Sequence, residues 1–331
     1  MRFGFGFVPV PGQVRRVAPI LERLGFDSLA VTDHPIGATE HFSQMMLACE
    51  LTERIEIGGG VTVAPLRHPA VTASALTSLQ FESRGRVFCG IGRGDAAVFA
   101  LGREPQPMAE FDAYLTELRR FLHGGLRWPE GLDLPIVPLD VAVSGPRMCE
   151  LAGRHADRIT IAVGADPGLV GDWLRQAREA VERAGRDPDR VEYGAYTPCV
   201  LADDADTAIA GARHITAIFA RFSAMRGQRS PRSIPAMLER TAEAVDRTIA
   251  HAPDLAIDVE QVVPREFVEW FAIAGGPDLA IERFRALAEL GLDHVQLVSG
   301  LHELPAEVAD RHLELVGTRV IPALHQPDPR S

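Results

Sequence analysis

The stretch that decides the fold is Arg2-Phe3-Gly4-Phe5-Gly6-Phe7-Val8, continued by Val14-Arg15-Arg16-Val17-Ala18-Pro19-Ile20-Leu21 and then Ser28-Leu29-Ala30-Val31-Thr32. The first run alternates large and small residues with a period of two and reads as a strand, Val14 to Leu24 carries apolar residues at helical spacing, and Ser28 to Thr32 is a second strand. The same alternation continues outward. Strands are predicted near Ile55 to Val63, Arg86 to Ile91, Asp140 to Val143, Arg158 to Val163, Val191 to Val200 and His294 to Val298. Helices are predicted near Ala70 to Phe81, Glu110 to Leu122, Arg147 to His155, Leu169 to Ala184, Asp203 to Ala224 and Asp278 to Leu290. Strands separated by helices imply a parallel sheet, and eight of them favour an α/β fold of the closed (βα)8 TIM-barrel type with helical insertions.

Two stretches exceed the basic pattern and are expected to be insertions, one near residues 35–51 and one near 227–275. The second begins with the loop Gly227-Gln228-Arg229-Ser230-Pro231 and continues through Met237 to His251 with apolar residues at helical spacing. Residues 1–318 are read as a single barrel domain and 319–331, which contain three prolines, as an irregular C-terminal tail.

Composition narrows the chemistry. All 34 basic residues are arginines, and the chain of 331 residues contains neither lysine nor asparagine. Schiff-base catalysis, pyridoxal phosphate anchoring and a Walker A loop all need a lysine and are excluded. A formal net charge of -11 argues against a general nucleic-acid binder, which needs a basic face to displace counterions. Cys49, Cys89, Cys149 and Cys199 are far apart in apolar surroundings and read as buried hydrophobes of a reducing compartment. No apolar run is long enough to span a bilayer, and the glycines of the first strand interrupt any signal-peptide core, so a cytoplasmic location without membrane partners is expected. Neither H-E-x-x-H, C-x-x-C nor G-x-S-x-G occurs, and no metal site is expected.

In a barrel, functional residues gather where strands end at the carboxyl face. The second strand ends in Thr32-Asp33-His34-Pro35, where His34 suits a proton shuttle or a hydrogen-bond partner for a ring, against a plain reading in which Asp33 caps the turn and His34 is a surface residue. The third carries Gly58-Gly59-Gly60-Val61; glycines there cost entropy and mark either close approach of another group to the backbone or a tight barrel corner. Arg67 and His68 are expected to brace the following helix. The fourth ends in Gly90-Ile91-Gly92-Arg93-Gly94-Asp95, a small-residue floor with an arginine and with Asp95 as an acid-base group or a helix cap. Ser144-Gly145-Pro146 opens a helix after the fifth strand, a ready phosphate site, and Gly164-Ala165 after the sixth again places a glycine where a ligand can approach.

Taken in order, Thr32-Asp33-His34, the run Gly58 to Pro69, Gly85-Arg86-Val87 through Gly94-Asp95, and Ser144-Gly145-Pro146-Arg147 followed by Ala156-Asp157 resemble the luciferase-like monooxygenase superfamily. Within it they resemble the branch dependent on the deazaflavin coenzyme F420, and Gly90 to Asp95 with Phe271-Ala272-Ile273-Ala274-Gly275 are most similar to the methylenetetrahydromethanopterin-reductase-like group. The resemblance implies a cis peptide at Gly60-Val61 behind the deazaflavin ring, with Asp33 and His34 beside it. It also implies Asp95 near the substrate, and Arg93, Gly94, Ser144, Gly145, Gly164 and Ala165 toward the coenzyme. His34 and Asp95 are then the catalytic candidates.

The function implied is hydride transfer between the deazaflavin C5 and a small imine, enone or carbonyl substrate. The alternatives are a monooxygenase using reduced FMN and oxygen, and a flavin-binding barrel without catalysis. Sugar-phosphate dehydrogenases of the family carry a tryptophan four positions after the histidine, where Ala38 stands here, and bind phosphate partly with lysines. A sugar phosphate is therefore a disfavoured substrate. A homodimer is expected from the same resemblance.

Overall fold

The computed structural model describes residues 1–126, 135–224, 236–251 and 262–325, with side chains omitted for 247–251. In chain order the elements are β1 (Arg2–Phe7), α1 (Gln13–Arg23), β2 (Ser28–Val31), α2 (His41–Leu51), β3 (Glu56–Gly59), β4 (Thr62–Val63), α3 (Pro69–Glu82) and β5 (Val87–Gly92). There follow α4 (Ala96–Phe99), α5 (Met108–Arg120), β6 (Leu139–Val143), α6 (Pro146–His155), β7 (Arg158–Ile161), α7 (Pro167–Arg183), β8 (Glu192–Leu201) and α8 (Ala205–Ser223). The last are α9 (Ala236–His251), α10 (Arg265–Phe271), β9 (Ile273–Gly275), α11 (Pro277–Glu289), β10 (His294–Val298), α12 (Ala306–Leu315) and α13 (Ile321–His325).

The alternation in β1 explains how the barrel closes. Phe3, Phe5 and Phe7 are buried outward against the helical ring, with Phe3 meeting Phe284 of α11 edge-on at 5.2 Å and Phe5 meeting Phe26 at 5.8 Å. Gly4 and Gly6 take the alternate face, and a Cβ on Gly4 would stand 2.0 Å from Gln296 Oε1 and 2.2 Å from Ser28 Oγ. Strand pairing is parallel throughout and runs β10-β1-β2-β3-β5-β6-β7-β8, closing through β8–β10 into an eight-stranded barrel. All four cysteines are buried and unpaired.

Several elements differ from the sequence expectation. The strand expected over Ile55 to Val63 is broken into β3 and β4, with the cis Gly60–Val61 bond between them. The stretch 35–51 is not an added unit, because its loop and α2 are the crossover joining the parallel neighbours β2 and β3. In the 227–275 region, α9 and α10 are helical as expected, but Ile273–Gly275 is a strand paired with the end of β8, and the Gly227 to Pro231 loop lies outside the described residues. The tail is not irregular throughout. Val316–Val320 forms a π-helix and Ile321–His325 an α-helix, held by burial of Val316, Val320 and Ile321.

The barrel floor is polar. Arg2 and Arg158 bridge Glu56 and Glu192, with contacts of 2.6 Å for Arg2–Glu192, 2.8 Å for Arg158–Glu56 and 2.7 Å for Arg158–Glu192. Just above them Asp140 is 4% exposed, with Thr160 Oγ1 at 2.7 and 2.9 Å from its two oxygens. Burial pushes the Asp140 carboxyl up to about 6, with the Thr160 hydrogen bond and Arg158 opposing it. A carboxyl whose folded value lies above its unfolded one loses stability as pH rises, here from about 4 to 6, by at most about 3 kcal/mol. Asp140→Asn should therefore flatten the pH dependence of urea midpoints across that window and raise stability above pH 6. An unchanged slope would show that Asp140 does not carry it.

Candidate active site

Inward positions change in size from floor to mouth. The floor holds the arginine and glutamate cluster, whereas toward the carboxyl ends the inward positions are Gly6, Ala30, Gly92, Ala142 and Ala162 on five strands, with Tyr196 and Pro198 on β8 and Val298 on β10. A Cβ on Gly92 would come within 3.0 Å of Val61 Cγ2. Five of the eight strands thus present only glycine or alanine at this level, which keeps that side of the upper barrel low in side-chain volume.

Around this mouth the strand ends bring several predicted residues together. His34 follows β2, and its Nδ1 accepts the Gly37 N–H at 2.9 Å, so the neutral ring carries its proton on Nε2. Burial pushes the His34 pKa down, opposed by a backbone hydrogen bond and by the charge of Asp33. Asp95 follows β5. It stands at the N-cap position of α4 yet makes no capping bond, and its Oδ1 is buried without a hydrogen-bond partner. Burial pushes its carboxyl up to about 6, against the opposing pull of Arg93 and Arg221. Asp95 therefore does not cap α4, and its buried Oδ1 keeps an unspent hydrogen-bonding capacity. Gly94 has φ +82, which places Asp95 at a turn that a side chain at 94 would oppose by meeting Val98 and Val63.

Asp33 has a different task from the one expected. It is 4% exposed, and its Oδ2 accepts from Val63 N at 3.0 Å and from Arg67 Nη1 at 2.5 Å, while Oδ1 takes Arg67 Nη2 at 3.2 Å. Its oxygens are committed to holding β4 and Arg67, so it positions the Gly60–Val61 segment rather than offering an atom to a ring. Thr32 Oγ1 donates to the Gly60 carbonyl at 3.2 Å and braces the same segment. Arg67, read as a brace for the next helix, is instead the buried partner of Asp33, and His68 does cap α3 through Ala70 N.

Ser144 and Gly145 lie between β6 and α6, where Gly145 is the N-cap and Pro146 opens the helix. That leaves the positive end of α6 available to an anion. The neighbouring Gly164-Ala165 turn is corrected. Ala165 N donates to Phe271 O at 2.7 Å and its carbonyl accepts from Arg283, while Gly164, with φ +92, has the Phe271 ring 2.7 Å from where a Cβ would stand. Packing against α10 accounts for that glycine, and Asp166 caps α7 through Leu169 N. Arg93 reaches the Gln106 carbonyl at 3.2 Å and ties the ends of the loop that carries α4.

Two residues near the site gave no sequence signal. His41, almost fully buried, places Nε2 2.9 Å from Thr62 Oγ1 beside the cis bond, and burial lowers its pKa to about 4. Arg221, near the end of α8, lies over the Phe99 ring at 5.5 Å and bonds Asp246 of α9 at 2.7 Å. Both act across long sequence separations that no local spacing reveals. Among the described residues no cluster of three or more histidine, cysteine or acidic side chains is arranged to hold a metal. No helix there is long and apolar enough to cross a membrane.

Comparison with known proteins places the fold and the sequence in one family. Residues 6–294 match the family described as luciferase-like monooxygenase. The 5,10-methylenetetrahydromethanopterin reductase of Methanolobus tindarius is 27% identical over 97% of this chain and 100% of its own length. An F420-dependent glucose-6-phosphate dehydrogenase of Nakamurella multipartita is 27% identical over 95% of this chain and 93% of its own. The structure of the coenzyme F420 dependent tetrahydromethanopterin reductase from Methanopyrus kandleri superposes with a TM-score of 0.78 at 25% identity, covering 97% of this chain and 98% of that one. With its closed parallel barrel, its cis bond between β3 and β4 and a match over most of its length, the chain belongs to the luciferase-like monooxygenase family.

Proposed function

We propose that the protein is an oxidoreductase dependent on coenzyme F420 that acts on a small imine, enone or carbonyl compound. The observation that carries this reading is the pair of proton-bearing groups at the strand ends of the carboxyl face: Asp95, with an unpartnered carboxyl oxygen and its pKa raised to about 6, and His34, with its proton on Nε2. A deazaflavin supplies two-electron hydride chemistry, and the protein's share is to hold the ring and to give or take the accompanying proton. The backbone of Gly60 and Val61 would back the ring. Arg93, Gly94, Ser144 and Gly145 would hold the phosphate-bearing side chain through guanidinium and amide donors, in a chain that has no lysine for the purpose. Asp95 donates a proton from its protonated form when the substrate is reduced and accepts one in its ionised form when the substrate is oxidised, and His34 presents a fixed N–H donor.

Fluorescence titration with F420 and separately with FMN tests the coenzyme, and the expected result is saturable F420 binding. Tight FMN binding without F420 binding would overturn the reading in favour of the monooxygenase alternative. His34→Ala should lower turnover by about 10²-fold while F420 affinity changes far less, and unchanged turnover would remove His34 from the mechanism. We further expect a second copy of the chain as partner, supported by Val71 at 57% and Phe81 at 51% exposure on α3. Sedimentation should then return twice the 36.0 kDa chain mass, and a monomer at micromolar concentration would refute it.

A further inference from the structure

Helix α8 contacts loops that follow three different barrel strands at the carboxyl face. At its middle, His214 Nδ1 bonds the Glu303 carboxylate in the loop after β10, with His302 Nε2 3.7 Å from the same group. Near its end, Arg221 lies over Phe99 after β5, and Ser223 Oγ donates to the Ala162 carbonyl after β7 at 3.4 Å. In the closed strand order β5 and β10 stand opposite one another, so α8 is tied to both rims of the mouth. His214 and Arg221 are separated by about 10 Å along the helix axis.

Between those ties, exposure follows helical spacing. Gly211, Arg213, His214, Ile215, Ile218, Arg221 and Phe222 are partly exposed, whereas Ala212, Thr216, Ala217, Phe219, Ala220 and Ser223 are buried. All of the partly exposed residues except Arg213, which projects from another side of the helix, form one stripe on one face. Its charged ends are already engaged, His214 by Glu303 and Arg221 by Asp246, so its middle presents the hydrocarbon of Ile215, Ile218 and Phe222.

We propose that this stripe is the substrate-facing wall of the mouth and that it selects substrates with an uncharged, apolar body beside the reacting group. The inference rests on the oxidoreductase reading above and narrows its substrate class. A phosphorylated or multiply charged substrate would lose water against Ile218 with no unengaged cation on the stripe to replace it.

The test is the equilibrium affinity of F420-loaded protein for the straight-chain methyl ketones from butanone to octanone, read by F420 fluorescence. Each added methylene should tighten binding by up to about fourfold. Ile218→Ser should reduce the increment to less than twofold without changing F420 affinity, and Ile218→Leu should restore it. An increment unchanged in Ile218→Ser, or ketone affinities independent of chain length in the unaltered protein, would overturn the proposal. Failure to bind F420 would overturn the coenzyme reading alone, because the same ketone series read by tryptophan emission on unloaded protein still decides the role of the stripe.

Discussion

Replacing Asp95 by asparagine is expected to lower turnover by about 10² to 10⁴-fold and to remove the pH limb near 6. The carboxyl is raised because burial penalises its charge, and Arg93 and Arg221 recover only part of that penalty. Below pH 6 the group is mostly protonated, so reduction of a substrate should be fastest there and fall as pH rises. The reverse oxidation should rise through the same window, since it needs the ionised form. Asparagine keeps the shape but neither donates nor accepts a proton in this sense. Steady-state rates in both directions from pH 5 to 8 decide the matter. A limb near 6 that survives in Asp95→Asn would assign it to another group and leave Asp95 a binding role.

The second large effect is expected on stability. Arg67→Ala removes the guanidinium from an almost fully buried Asp33, and an uncompensated buried carboxylate costs about 3 to 5 kcal/mol. For a chain of this size that corresponds to a fall in Tm on the order of 10 °C. F420 affinity should weaken as well, because Asp33 also holds Val63 N in β4 and through it the Gly60–Val61 segment. Combining Arg67→Ala with Asp33→Asn should recover part of the lost Tm, since removing both charges leaves no buried ion. Calorimetry of the single and double variants measures this. An equal Tm for Arg67→Ala and the unaltered protein would show that solvent and the Val63 N–H already compensate the Asp33 carboxylate.

Much of the barrel was legible because its rules are local. Phenylalanines alternating with glycines in β1, and apolar residues at helical spacing in α1, each report a burial pattern within a few residues. The same holds for β2 and β5 to β8, and for His34 and Asp95 at strand ends. Errors arose where a partner distant in sequence decides the outcome. Gly164 reads as a ligand position until Phe271 is seen against it, and Asp33 reads as a ring neighbour until Arg67 takes its oxygens. The three residues of β9 carry too little periodicity to be separated from the helices around them.

The absence of lysine is a property of the chain alone, and it directs any phosphate to arginines and backbone amides wherever the chain folds. The order of strand-end motifs likewise determined the barrel and the list of residues around its mouth. Which of those residues keep an unspent atom was decided only in three dimensions. Asp95 and Asp33 are both carboxylates at strand ends, but one lacks a partner for a buried oxygen and the other is closed by an arginine 34 positions away. Local spacing cannot distinguish them, because desolvation and pairing depend on what other segments bring to the same point in space.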